Sequence, residues 1–75
     1  MKYIVMEIQQ FDTGAVSSPV YAYDDVYAAE SKYHAILSSA ATSALPVHSC
    51  ILMNSEGYYI KSECFKHGEE EVANE

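Results

Sequence analysis

The sequence predicts a small α+β domain of order ββαββ: a four-stranded antiparallel sheet with spatial order 2-1-3-4 and one helix packed on one of its faces. Three observations carry this expectation. Apolar residues alternate with a period of two toward both ends of the chain, they recur at spacings of three and four in the middle, and turn-forming residues separate these stretches. With 75 residues there is room for one domain. A chain of this length buries only about 60% of its unfolded surface, so a stability of a few kcal/mol, or help from a partner subunit, is expected.

Lys2 to Phe11 reads as the first strand, with Ile4, Met6 and Ile8 on one face and Tyr3, Val5, Glu7 and Gln9 on the other. Asp12-Thr13-Gly14 is turn chemistry, and Ser17-Ser18-Pro19 extends the loop to a short second strand over Val20 to Tyr23, where Pro19 suits a sheet edge. Asp24 and Asp25 offer acceptors to the free amides of a helix N-terminus. Val26, Ala29, Tyr33, Ile36, Leu37, Ala40 and Ala44 form one helical stripe, which predicts a helix to about Ala44, ended by Pro46. Val47 to Met53 is the third strand, Asn54 to Gly57 a tight turn, and Tyr58 to Phe65 the fourth strand. The domain is expected over residues 1–67 and an acidic, disordered tail over residues 68–75.

A turn that pairs Met53 with Tyr58 sets Ile51 opposite Ile60, Ser49 opposite Ser62 and Val47 opposite Cys64, as the surface facing the helix. His48, Cys50, Leu52, Tyr59, Lys61, Glu63 and Phe65 then occupy the other side. A slip of one residue exchanges the two sets.

Composition excludes several classes of function. Hydrophobic residues at 49% with 20% charged indicate a globular chain. Four basic residues against 11 acidic ones give a net charge of −7. Binding a phosphate backbone takes clustered cations, whereas only Lys2, Lys32, Lys61 and Lys66 are present, so no nucleic-acid partner is expected. Glu69, Glu70, Glu71 and Glu75 supply four of the acids, which leaves residues 1–68 with 7 acids against 4 bases and assigns much of the acidity to the tail. No apolar run approaches the roughly 18 residues of a membrane span and no signal-peptide pattern opens the chain, so a cytoplasmic protein with no membrane association is expected. Cys50 and Cys64 are too few for a disulfide scaffold and are expected to be reduced.

Two surfaces exceed what a monomer needs. The back of the helix carries Ala28, Ser31, Ala35, Ser38, Ser39 and Thr42, with Glu30 and Lys32 the only charges between Val26 and Ala44. Small side chains at this spacing admit a second helix, although helix propensity also tolerates them as a plain exposed face. The sheet face away from the helix is expected to carry Tyr3, Val5, Phe11, Leu52, Tyr59 and Phe65, a patch suited to contact with a symmetry mate, or else to cover by the loop Thr13 to Ser18 or the tail. Either surface serves a homodimer. The tyrosines supply amphipathic contact area at an interface and serve equally as core filler with a wet hydroxyl.

Chemistry-bearing constellations are sparse. His48, Cys50, Cys64 and His67 are metal-ligand types, but they lack paired short Cys spacings, and Cys50 and Cys64 are expected on opposite faces, so no metal site and no cofactor is expected. His48 and Cys50, two apart on one strand, stand side by side rather than aimed at each other, and Glu63 is placed to pair with His48 as an ordinary cross-strand contact. Gly14, Gly57 and Gly68 are scattered and form no phosphate loop. No catalytic residue is assigned and an enzyme is not expected. His34, flanking Tyr27 and Glu30 on the helix, reads as a boundary histidine rather than a pH switch.

The stretches Met1-Lys2-Tyr3-Ile4-Val5-Met6-Glu7-Ile8-Gln9, Tyr23-Asp24-Asp25, Ala29-Glu30-Ser31-Lys32-Tyr33-His34-Ala35-Ile36-Leu37, Leu52-Met53 and Glu56-Gly57 resemble a group of short proteins encoded by phages and prophages of Gram-positive, often gut-dwelling, bacteria. The resemblance implies a phage-related setting and brings no established activity or site. The resulting expectation is a non-enzymatic, self-associating interaction module whose partners are a second copy and a phage or host protein. An acidic inhibitor that mimics nucleic acid, and a small metal-binding module, are the alternatives.

Overall fold

The computed structural model describes residues 2–67; the acidic segment 68–75, expected to be a tail, lies outside the described residues. The elements are β1 (Tyr3–Gln10), β2 (Val16–Ser17), β3 (Val20–Tyr23), α1 (Val26–Ala41), β4 (Val47–Asn54) and β5 (Tyr59–Lys66). β1 and β4 form the centre of one antiparallel sheet, in register from Tyr3 opposite Asn54 to Gln10 opposite Val47. β5 continues the sheet beyond β4, and both β2 and β3 line the outer edge of β1. The α+β class, the antiparallel sheet and the single helix on one face follow the expectation.

The expected second strand, Val20–Tyr23, is β3, and a further short strand, β2, forms from Val16–Ser17 in the segment read as loop, which makes five strands. Gln9 pairs with Ser17 and Met6 with Val20 in one unbroken register, and the gap falls at Ser18-Pro19. Pro19 has no amide proton, so the ladder lapses there, while its carbonyl still accepts from the Glu7 N–H at 3.0 Å. The segment Thr13 to Ser18 is therefore a hairpin and edge strand, not a loop that covers the sheet. Both hairpins use the same device. The N–H of Phe11 donates to Ala15 O and that of Gly14 to Phe11 O, both at 2.9 Å, and Asn54, Tyr58 and Gly57 repeat the pattern at 3.0 Å. Gly14 and Gly57 each adopt φ of 92°, the left-handed position that closes a three-residue hairpin loop.

Asn54 alters the second hairpin. Its side-chain oxygen accepts from the N–H groups of Glu56 and Tyr58, which makes Asn54 and Tyr58 the closing pair. Met53 then lies opposite Tyr59 rather than Tyr58, and a bulge at Ile60 returns the ladder to Leu52 opposite Lys61 and Ser49 opposite Cys64. The expected pairing of Ser49 with Ser62 is thereby shifted by two residues.

Asp25 caps α1 by accepting from the Tyr27 N–H at 3.3 Å. The helix ends at Ala41, a few residues short of the expected Ala44. Thr42 and Ser43 turn their N–H groups to Ser39 and Ala40, and the Ser43 hydroxyl accepts from the Leu45 N–H, so the last turn tightens well before Pro46. As expected of the stripe, Ala29, Tyr33, Ile36 and Ala40 are buried, with Leu37 half-buried beside them.

Of these, Ala29, Tyr33, Ile36 and Leu37 pack with Val5, Cys50 and Leu52. The two sheet faces are thus exchanged relative to the sequence reading: Tyr3, Val5 and Leu52, expected on the open side, lie under the helix, and Val5 and Leu52 are wholly buried. Alternation along β1 and β4 sorts side chains into two sets but does not state which set meets the helix, and both sets carry apolar residues. Phe65, paired with His48, is half-buried on the helix side, while Phe11 and Tyr59 are exposed at strand ends. Among the described residues, no helix is long and apolar enough to cross a membrane.

Leu52→Ala removes a fully buried side chain and is expected to lower unfolding free energy by about 2–5 kcal/mol, whereas Ala35→Ser on the exposed helix back is expected to change it by less than about 1 kcal/mol. Urea unfolding of the two variants measures the difference.

Candidate functional site

Because Val5 and Leu52 point into the helix-side core, the intervening residues point away from it. The helix-free face comprises Ile4, Met6 and Ile8 of β1, Val20 and Ala22 of β3, and Val47, Ser49, Ile51 and Met53 of β4, bordered by Ser62, Cys64 and Lys66 of β5. Ile4, Met6, Ile8, Ile51 and Met53 are only half-buried and Val20 is 55% exposed. Lys66, at a corner, is the one charged strand residue on this face among the described residues. This contiguous apolar surface makes the helix-free face the candidate contact surface. Ile4, Met6 and Ile8 were visible as one alternating set in the sequence. What sequence patterning lacked was the side of the sheet that the helix takes.

The back of α1 is less distinctive. Ser31, Ala35, Ser38, Ser39 and Thr42 are exposed and Ala28 half-buried, as the stripe implied. Both of its charges are tied inward: the Lys61 ammonium donates to Glu30 at 3.3 Å and the Lys32 ammonium sits 4.2 Å from the centre of the Tyr21 ring. His34 lies 3.6 Å from Glu30 and edge-on to Tyr33, a boundary position. Tyr33 is buried, with Tyr3, Tyr21 and Tyr23 flanking the core, whereas Tyr27, Tyr58 and Tyr59 are exposed.

The four metal-ligand types are dispersed. Cys64 pairs with Ser49 and Cys50 with Glu63, so the thiols project from opposite faces, and among the described residues no three His, Cys, Asp or Glu side chains are placed to share an ion. The imidazole of His67 donates from Nε2 to Ala40 O at 2.7 Å, satisfying a carbonyl of the last helical turn, and stacks on Phe65. His48 is bonded to Glu7, not to Glu63: its Nε2 lies 2.6 Å from Glu7 Oε2, which also accepts from Gln9 Nε2 at 3.1 Å. A carboxylate can only accept, so Nε2 carries the proton in this pair. Nδ1 of His48 is buried without a partner. Glu7 belongs to the strand set that faces the helix, and the β1–β4 register brings it diagonally within reach of His48.

Cys50 lies directly opposite Glu7. Burial, reinforced by the negative charge of Glu7, pushes its thiol up to about 11 from the ordinary 9.0. It is a core thiol held in its protonated form. Burial likewise raises the Tyr33 phenol. At the surface, the hydrogen bond from Lys2 lowers the fully exposed Asp24 carboxyl.

No known protein family, characterised protein or solved structure matches the chain.

Three outcomes follow from this cluster. The native state keeps the Cys50 proton where the unfolded chain releases it, so stability falls as pH rises from about 9 to about 11, and Cys50→Ala flattens that dependence in denaturation at stepped pH. In a Cys64→Ser background the native protein should show no thiol reactive toward a chromogenic disulfide reagent until it unfolds. Glu7→Ala leaves both ring nitrogens of His48 without a partner and is expected to cost about 1–3 kcal/mol in urea unfolding.

Proposed function

We propose that this protein is a non-enzymatic, self-associating interaction module. The observation that supports it is the helix-free sheet face, where Ile4, Met6, Ile8, Ile51 and Met53 form a contiguous apolar surface with charge only at its corner. A single helix covers one side of a two-sided apolar sheet, and a second copy is the economical cover for the other. The resemblance of the Met1 to Gln9 and Ala29 to Leu37 stretches to short phage and prophage proteins favours a small accessory role in a phage-derived system, within the cytoplasm and in contact with a phage or host protein.

The reading as an acidic mimic of nucleic acid draws less support. Of the seven acids in residues 2–67, Glu7 is bonded to His48, Asp24 to Lys2, and Glu30 to Lys61, and Asp25 caps the helix. Carboxylates committed to internal partners do not make the evenly spaced row that imitates a phosphate backbone. A metal-binding role draws less still, since His48 and His67 are both engaged elsewhere.

Sedimentation velocity at micromolar concentration is expected to report a species of twice the 8.3 kDa chain mass. A sharp 8.3 kDa boundary throughout would refute self-association.

A further inference from the structure

The helix-free face differs in relief from one side to the other. Its β1 and β3 side is a row of large side chains, Ile4, Met6 and Ile8 with Val20 beyond. Its β4 and β5 side holds the small residues Ser49, Ser62 and Cys64, with Val47, Ile51 and Met53 flanking Ser49 along β4. Ser49 lies between Ile8 on one neighbouring strand and Cys64 on the other, and it is only 9% exposed although no helix covers it. The β1 row forms a ridge, and Ser49, Ser62 and Cys64 form a local trough beyond it, bordered on β4 by Val47 and Ile51. A two-fold axis parallel to the strands, lying between two such faces, sets the ridge of each copy over the trough of the other.

Resting on the self-association proposed above, we infer that the occupant of this face is a second copy of the chain, packed sheet on sheet, with Ile4, Met6 and Ile8 of each copy over Ser49, Ser62 and Cys64 of the other. Charge permits the match. The chain carries −7 overall, yet its strand residues on this face include only Lys66, so two copies meet there without opposing carboxylates. Area permits it as well. Strands of eight residues span about 26 Å and four ladder positions about 19 Å, a footprint of about 500 Å² per copy before side-chain relief is added. Relief brings two copies to the order of 1,200 Å² buried, the lower end of the range for specific dimers. The β5 edge is a poorer contact, because Lys61, Lys66 and the Ile60 bulge discourage strand addition. The back of α1 offers only short Ala, Ser and Thr side chains and correspondingly little apolar area.

Cys64 reports on this arrangement directly, since it is exposed in the single chain and covered in the dimer. Cys50 stays buried in both states and gives no background. The test is thiol labelling of the full chain at about 1 μM and about 200 μM, with sedimentation on the same samples, for wild type, Ile51→Glu and Ala35→Glu. The inference expects a dimer whose Cys64 labels about tenfold more slowly at the higher concentration, in proportion to the monomer fraction. It also expects Ile51→Glu to be a folded monomer by circular dichroism with Cys64 freely reactive, and Ala35→Glu to remain a protected dimer. A dimer whose Cys64 labels at one rate at both concentrations overturns the packing and leaves self-association intact. Wild type that stays monomeric at 200 μM overturns both. The wild-type labelling stands as a test even if Ile51→Glu fails to fold.

Discussion

The register between β1 and β4 fixes nearly every other feature of the molecule. Once Val5 is set opposite Leu52, both side chains share one face, and the period of two assigns every remaining residue of the two longest strands. The helix can settle only where its stripe finds a matching surface, and Ala29 and Ala40 bring it close while Tyr33 and Ile36 fill the space above Cys50 and Leu52. A slip of one residue between the two strands would bring Ile51 onto the face of Val5 and Glu7 and send Leu52 and His48 to the opposite face. The Glu7–His48 bond would then be lost. Register, polar pairing and helix docking therefore reinforce one another.

The consequence is an asymmetric domain. One face of the sheet carries a helix, a ring of tyrosines and a buried carboxylate–imidazole pair; the other carries a ridge of Ile and Met side chains beside small Ser and Cys residues. The core itself is small. Among the described residues, Val5, Ala29, Tyr33, Ile36, Ala40, Cys50 and Leu52 are its buried apolar residues, a modest set with which to offset the conformational entropy of ordering the chain. Covering the second face with a symmetry mate would add apolar burial of the kind that the chain is too short to supply within itself.

Much of the fold was legible because local signals agreed: alternation on β1, the three-and-four spacing of α1, Asp25 as its cap, and the two Gly-containing turns each point to one conformation. The parts that were not legible depend on competition between comparable alternatives. Pro46 is an obvious helix stop, yet the hydroxylated pair Thr42 and Ser43 ends the helix sooner by drawing the last amides into tighter bonds. The side chain of Asn54 closes the second hairpin one position away from the plain reading of the turn. The more apolar face of β1, Ile4, Met6 and Ile8, is the one the helix leaves open, so hydrophobicity alone did not reveal which one lay under the helix. The surface first assigned to contact, Tyr3, Val5 and Leu52, is core, and its neighbours one residue along, Ile4, Met6, Ile51 and Met53, take over that role in the proposed assembly. Glu7 was likewise readable as a strand residue but not as the partner of His48, forty-one positions away, because a pairing of that kind exists only once the register is set.

The central claim, that the helix-free face is where two copies meet, is tested most directly by nuclear Overhauser effects filtered for contacts between chains, in a dimer mixed from isotope-labelled and unlabelled protein. Methyl groups of Ile4, Met6, Ile8, Ile51 and Met53 are predicted to show intermolecular contacts, with those of Ala28 and Ala35 showing none. Intermolecular contacts confined to the helix methyl groups, or their absence from both sets, would contradict it.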